Sequence, residues 1–207
     1  MFTGIVTDIG RLLKAEARND GRLLRVGTVY DPASIALGAS ITNDGICLTV
    51  TDKGTDSGQH WFEVFAALET LAVTHVGQWR VGRRINLERS LKIGDELGGH
   101  IVSGHIDGMA EIVDKIATGE QITLTFSVSD AVAPFIAKKG SVALNGTSLT
   151  VNDVSGNRFS VHLIPYTVEV TSWGDYGVGD SVHIEVDPMA RYAARLFETI
   201  GASRNKD

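Results

Sequence analysis

The chain has a single cysteine, Cys47, so an internal disulfide is impossible and a reducing compartment is the simpler expectation. Basic residues are outnumbered, 19 Lys and Arg against 25 Asp and Glu, for a net charge of −6 at pH 7. That leaves no positive field to attract nucleic acid, and an anionic membrane would repel this surface. No apolar run approaches the roughly 20 residues of a membrane helix. The opening MFTGIV has neither a basic stretch nor a long apolar one, so no signal peptide is expected and the cytoplasm is the expected location. There is no glycine-rich phosphate loop, dinucleotide fingerprint or nucleophile elbow. His100 and His105 stand five apart, which fits neither a helical i, i+4 pair nor a Cys/His cluster, so no metal site is expected. What is present is ordinary globular composition, 43% hydrophobic and 21% charged. The 207 residues suffice for one large domain or two small ones.

One phrase is written twice. NDGICLTV (43–50) returns as LNGTSLTV (144–151), with Cys47 replaced by Ser148. The echo extends along the chain: FTGIVTDIGRL (2–12) matches VSGHIDGMAEI (102–112), and GASITNDGICLTV (38–50) matches KGSVALNGTSLTV (139–151). WFEVFAALETL (61–71) matches RFSVHLIPYTV (158–168), and RVGRRINLER (80–89) matches GVGDSVHIEV (177–186). The offset moves only from 100 to 101 and then 97, so residues 1–97 and 98–187 read as two copies of one domain. Within each copy, short runs such as ICLTVTD, QITLTFSVS and SVHIEVD alternate apolar and polar, separated by Gly, Asn and Asp. A small closed antiparallel barrel or sandwich is expected for each. DPASIALG (31–38) and DAVAPFIAKKG (130–140) read as short helical turns, and Arg80, Arg83 and Arg84 as a solvated turn. After Asp187 and Pro188, the residues Met189, Tyr192, Ala193, Leu196, Phe197 and Ile200 form one apolar helical stripe. A helix over 188–201 is predicted, with a flexible tail over 202–207. Packing of this helix against other subunits is preferred over packing on its own barrels.

Alternate residues of a strand face opposite ways. Leu48 and Val50 therefore share one face and Cys47 and Thr49 the other; Leu149 and Val151 oppose Ser148 and Thr150 in the same way. If the Leu/Val faces fill the barrels, each barrel carries a small polar site on its outer wall. The plain alternative is that Thr is a good strand residue and a lone Cys a small core hydrophobe. GGHIVSGHIDG (98–108) is the second notable stretch: its glycines admit close approach, and one of its histidines suits acid/base work or a hydrogen bond to a ligand. Both are otherwise ordinary turn residues at the junction.

MFTGIV, GICLTV, GGHIVSGHIDG and GTSLTV, in that order and over about residues 1–198, closely resemble the riboflavin synthase family. The resemblance implies two six-stranded Greek-key antiparallel barrels from an internal duplication plus a C-terminal helix, assembled as a homotrimer with sites between subunits. It implies dismutation of two 6,7-dimethyl-8-ribityllumazine molecules per active site, one giving a four-carbon unit to the other, to form riboflavin and 5-amino-6-(ribitylamino)uracil. No metal or organic cofactor is implied; association with lumazine synthase is open. For the first site the resemblance points to Gly4, Ile5 and Val6 beside Cys47, Leu48 and Thr49, with Ser40 near. Phe65, Ala66, Ala67, Leu68, Glu69 and Thr70 continue that wall. Gly104, His105 and Ile106 reach the shared site. Lys139, Ser148, Leu149 and Thr150 line the second, with His162, Leu163, Ile164, Pro165, Tyr166 and Thr167. Catalytic roles fall to Cys47, or a water it orients, in addition to the acceptor ring, to His105, Ser148 and Thr150 in proton and hydrogen-bond management, and to Asp187. Two positions depart from the family pattern: Asn145 stands where Asp is common, and Asp44 where a neutral residue is common, placing a carboxylate near the ring. The alternatives are a lumazine-binding carrier on the same duplicated fold, which binds a chromophore without turning it over, and a flavin-storage module, which binds riboflavin tightly without releasing product; Cys47, His105, Ser148 and Thr150 favour the enzyme.

Overall fold

The computed structural model describes residues 1–204, with side chains as far as Ile200. The first half closes into a six-stranded antiparallel barrel of β1 (Asp8–Arg18), β2 (Gly21–Thr28), β3 (Ser40–Asn43), β4 (Ile46–Asp56), β5 (Gln59–Ala67) and β6 (Arg84–Arg89), in the spatial order β1-β2-β5-β4-β3-β6. A meander of β3, β4 and β5 is flanked by β6 and β2, a Greek key. The second half repeats it with β7 (Gly108–Thr118), β8 (Gln121–Ser127), β9 (Ser141–Leu144), β10 (Thr147–Ser155), β11 (Arg158–Leu163) and β12 (Ser181–Val186), each in the place of its counterpart. Even the irregularities repeat. Register shifts follow Leu12 and Val50 in one barrel and Ile112 and Val151 in the other. A bulge adds local twist, which a ring of only six strands needs in order to close.

Strand alternation fills each barrel. Leu12, Leu24, Val26, Leu48, Val50, Phe62 and Val64 are buried in the first. Ile112, Leu124, Phe126, Leu149, Val151, Phe159 and Val161 are buried in the second, where Phe126 and Phe159 stack with centroids 5.3 Å apart. Each such side chain contributes about 1.5–3 kcal/mol through burial. The turns read from sequence are 3-10 turns at Pro32–Ser34 and Ala133–Phe135. Short helices α1 (Leu68–Val73) and α2 (Pro165–Glu169) follow β5 and β11.

The barrels meet at a buried polar seam built from the tips of two hairpins. Asp44-Gly45 and Asn145-Gly146 all take positive φ, the backbone of a tight β-hairpin turn, and the two tips pack against each other: a Cβ on Gly45 would lie 2.7 Å from the Gly146 nitrogen. Asp44 Oδ1 accepts the Asn86 N–H at 2.8 Å, and Asn145 Oδ1 accepts the His183 N–H at 2.8 Å. Across the seam, Asn86 Nδ2 donates to the Asn145 carbonyl at 3.0 Å, and His183 Nδ1 donates to the Asp44 carbonyl at 2.8 Å. Arg83 corrects the sequence reading of a solvated turn. Its Nη2 pairs with Asp44 Oδ2 at 3.0 Å and donates to Tyr176 at 2.7 Å, because a buried carboxylate at the tip requires a cation. Arg84 is likewise paired, with Asp175 at 2.9 Å. Asp44 and Asn145 are fully buried in this seam, so the carboxylate of Asp44 does not face a ligand on the outer wall.

α3 (Pro188–Arg204) begins with its cap: the Met189 N–H donates to Asp187 Oδ1 at 2.8 Å. Arg191 ties the first turn to the second barrel through Asp107 at 2.7 Å. The helix runs past 201, where the sequence pattern placed its end; residues 205–207 of the expected tail lie outside the described residues.

Candidate active sites

Each motif strand presents its polar face outward. On β4, Leu48 and Val50 point into the core while Cys47 is half-buried and Thr49 exposed; on β10, Leu149 and Val151 point in while Ser148 is half-buried and Thr150 exposed. Against each outward face lies a glycine segment from the other half of the chain. Gly104 accepts the Cys47 N–H at 2.8 Å, and Gly4 accepts the Ser148 N–H at 2.8 Å. Both glycines have positive φ, and a Cβ on either would come within 2.5 or 2.6 Å of the facing Cβ. The two segments join each other as well, through paired hydrogen bonds between Phe2 and Val102 of 2.8 and 3.0 Å.

This exchange corrects the expected grouping. From sequence, Gly4, Ile5 and Val6 belong beside Cys47; in the structure Gly4 sits on Ser148. Ile5 and Val6 line a cavity of about 570 Å³ with Tyr166 and Val170 of the second half. Cys47 instead meets Gly104, and Ile106 packs against the first barrel's core. Homologous positions in a repeat are equivalent under its symmetry, and equivalence is not contact.

Around Cys47, Ser40 pairs with Thr49 across β3 and β4, and β5 borders β4 on the other side, carrying Phe65 half-buried and Ala67 exposed. Leu68 and Glu69 are exposed on α1 and Thr70 is half-buried there. His105 is exposed at the end of the Gly104 segment. Around Ser148, Lys139 is exposed with φ +66, and His162, Ile164, Pro165 and Tyr166 are exposed along the exit from β11, with Thr167 half-buried. His162 Nδ1 bonds Thr123 Oγ1 at 2.9 Å. Of the expected lining residues, Leu48, Ala66, Leu149 and Leu163 turn their side chains into the barrels, because each sits between outward residues on its strand. They can meet a ligand only through the backbone.

The two sites differ in polar support. Cys47 packs on the small cluster of Phe2, Val102 and Ala143. Ser148 Oγ bonds His100 Nδ1 at 2.7 Å. His100 is buried, and its Nε2 has no partner. Burial pushes the His100 pKa down, and the charge of Asp187 pulls it back up. The sequence alone does not choose between His100 and His105. The signal lay in the exchange of thiol for hydroxyl, since a half-buried hydroxyl needs a partner that a thiol does not.

Two carboxylates hold the exchanged segments. Glu88 accepts from Thr3 N, Thr3 Oγ1 and Gly4 N at 2.6, 2.7 and 2.9 Å. Glu185 accepts from Ser103, Gly104 and His105 N–H groups at 2.7, 2.8 and 3.0 Å. Burial raises the pKa of both carboxyls and these donors lower it. Among the described residues no cluster of three or more His, Cys, Asp or Glu is placed to hold a metal ion.

A family model described as the lumazine binding domain matches the chain twice, at residues 3–90 and 103–187. The riboflavin synthase of Brucella abortus is 55% identical over 96% of this chain and 98% of its own length. That of Photobacterium phosphoreum is 37% identical over 95% of this chain and 89% of its own. Among solved structures, LumP complexed with riboflavin superposes with a TM-score of 0.75 at 22% identity, covering 90% of this chain and 99% of that one, a likeness of fold.

Proposed function

The chain belongs to the riboflavin synthase family, and from that premise we propose that it converts two molecules of 6,7-dimethyl-8-ribityllumazine into riboflavin and 5-amino-6-(ribitylamino)uracil. The observation that carries this reading is that both halves keep an outward motif strand covered by a glycine segment from the opposite half. A reaction that consumes the same molecule twice, in two roles, calls for two such sites with unequal side chains. One lumazine gives up a four-carbon unit and the other receives it. The two products together contain the atoms of the two substrates, so no oxidant or co-reactant is consumed.

The lumazine 7-methyl is acidic because its anion delocalises into an electron-poor ring. The protein's main task is therefore to hold two rings face to face, which turns an encounter of two molecules into a step within one complex. Modest acid/base help then suffices. In this reading Cys47, or a water it orients, adds to the acceptor ring, while His105, Ser148 and Thr150 handle protons and hydrogen bonds. Asp187 keeps its assigned role from the start of α3, where its Oδ1 accepts the Met189 N–H.

The sites complete themselves between subunits of a homotrimer. Supporting this, Met189, Tyr192, Leu196 and Phe197 of α3 are each between 63 and 75% exposed, an apolar stripe that a monomer would leave in water. A cytoplasmic location agrees with the absence, among the described residues, of a helix long and apolar enough to cross a membrane. A contact with lumazine synthase, which would supply the substrate, fits the same setting.

The test is to incubate purified protein with the lumazine alone and follow both products by absorbance and chromatography. Equal amounts of riboflavin and the aminouracil, from two lumazines consumed, are expected. Tight lumazine binding with neither product would overturn the reading and make this protein a carrier.

A further inference from the structure

We infer that Glu185 and Glu88 are positioning residues, each holding the glycine segment of its own half so that the segment's carbonyl registers against the motif strand of the other half. This rests on the proposed reaction and on the outward faces of β4 and β10 as its sites.

Three donors meet each carboxylate. Glu185 stands on β12, 1% exposed, and its two oxygens accept the N–H groups of Ser103, Gly104 and His105. The next atom along that backbone to be used is the Gly104 carbonyl, which takes the Cys47 N–H. His105, the exposed imidazole beside it, leaves the segment directly after its own N–H is fixed by Glu185. Glu88 stands on β6, 5% exposed, and holds Thr3 and Gly4, whose carbonyl takes the Ser148 N–H. A carboxylate suits this task because it offers only acceptors, and three donors converge on each one. A glutamine of the same shape turns a donor toward one or more of those N–H groups. A site whose walls come from two halves depends on their relative position, and a displacement of about 1 Å at a reacting centre costs on the order of 10²-fold.

The carboxylates are not interchangeable. Glu185 governs the segment on Cys47 and carries His105; Glu88 governs the segment on Ser148 and carries no imidazole. The two substitutions therefore damage different sites of the same chain.

The experiment compares Glu185→Gln, Glu88→Gln and the core variant Ile184→Val, all as full-length chains, for steady-state kinetics, thermal midpoint and riboflavin titration by fluorescence. Ile184→Val is the control: the Ile184 side chain is buried in the second barrel, and its carbonyl, which takes the Asp107 N–H at 2.9 Å, is kept by the substitution. We expect Glu185→Gln to lower kcat by roughly 10- to 100-fold with KM changed less than about threefold, while Ile184→Val keeps kcat per folded site. In the titration, each Glu variant should weaken one class of riboflavin site and spare the other, and the class should differ between them. Two results overturn the inference: unchanged kcat per folded site in Glu185→Gln, or loss of both riboflavin classes together in either variant. If the unsubstituted chain binds lumazine but forms no riboflavin, the proposed reaction fails instead; the titration still tests the positioning.

Discussion

Removing Arg83 from the seam should cost more than the ion pair itself is worth. Asp44 is fully buried, and its Oδ2 lies 3.0 Å from Arg83 Nη2. At an effective dielectric near 20, two unit charges at this distance attract by about 5–6 kcal/mol, and desolvating both charges offsets much of that. The net value of the pair is small. Arg83→Met, however, leaves an uncompensated carboxylate in the interior, a loss of about 3–5 kcal/mol, or roughly 8–15 °C in Tm for a chain of this size. Asp44→Asn alone should cost about 2–4 kcal/mol, because the amide turns a donor toward a guanidinium that now lacks its anion. The double variant Asp44→Asn/Arg83→Met should return to within about 2 kcal/mol of the parent. The second half demonstrates why: Asn145 occupies the equivalent tip, accepting the His183 N–H and donating to Tyr176, with no charge at all.

The same variant carries a pH signature. Burial already raises the Asp44 pKa, and Arg83 opposes it. Without Arg83 the folded carboxyl rises further and holds a proton that the unfolded chain has released. The folded state then binds more protons than the unfolded, so stability falls as pH climbs from about 4 through the raised value. Arg83→Met should therefore lose more relative to the parent at pH 8 than at pH 5, and the double variant should lose this slope. Urea unfolding at both pH values is the assay. A single variant within about 1 kcal/mol of the parent at pH 8, or a double variant no better than the worse single, would refute the reasoning.

Cys47→Ser should keep kcat within about threefold, since a hydroxyl orients water as a thiol does and Ser148 occupies the matching position; a loss beyond about 100-fold in steady-state turnover would assign the addition to the thiol itself. Deleting residues 188–207 should leave two folded barrels, a monomeric mass by light scattering, and turnover reduced more than about 100-fold; a trimer surviving the deletion would remove α3 from assembly. Burial and neighbouring positive charge push His183 down to about 3 and His75 down to about 4, below the usual 6.5, so both are neutral in the fold and charge on unfolding. Stability should thus fall by up to about 1.4 kcal/mol per pH unit for each histidine as pH drops below about 6. His183→Asn, which installs the residue found at the equivalent Asn86, should remove about a third to a half of that slope in urea unfolding between pH 6.5 and 4.5, since His75 and the depressed His100 remain; an unchanged slope would place the acid sensitivity elsewhere.

What could be read from the sequence was local or repeated. The alternation in ICLTV and TSLTV states which side chains face inward, and Leu48, Val50, Leu149 and Val151 do. The duplication states that whatever topology one half adopts the other adopts too, and strand order and bulges agree in both. The Asp-Gly and Asn-Gly tips are also legible as hairpin turns. That these tips are buried against each other is not, because a turn is ordinarily polar for the sake of water, and only the other barrel makes Asp44 interior. Arg83 reads as solvated for the same reason: its partner lies 39 residues away in sequence, on a tip that looks solvated when viewed alone.

The exchange of glycine segments escaped for a different reason. A duplicated sequence is consistent with Gly4 beside Cys47 and Gly104 beside Ser148, and equally with the crossed arrangement. Both obey the repeat's symmetry, so no comparison of the two copies can separate them. What each copy does record is the need for a glycine. Gly4 and Gly104 lack Cβ atoms because a strand passes within 2.5–2.6 Å of where one would be. A glycine in such a place testifies that something passes close and is silent on what. The crossed arrangement follows from the Phe2–Val102 pairing, which lays the two segments side by side between the barrels. From there each segment reaches the other half's motif strand. The placement of both segments by one short bridge is therefore a property of the folded duplicate that neither copy encodes alone.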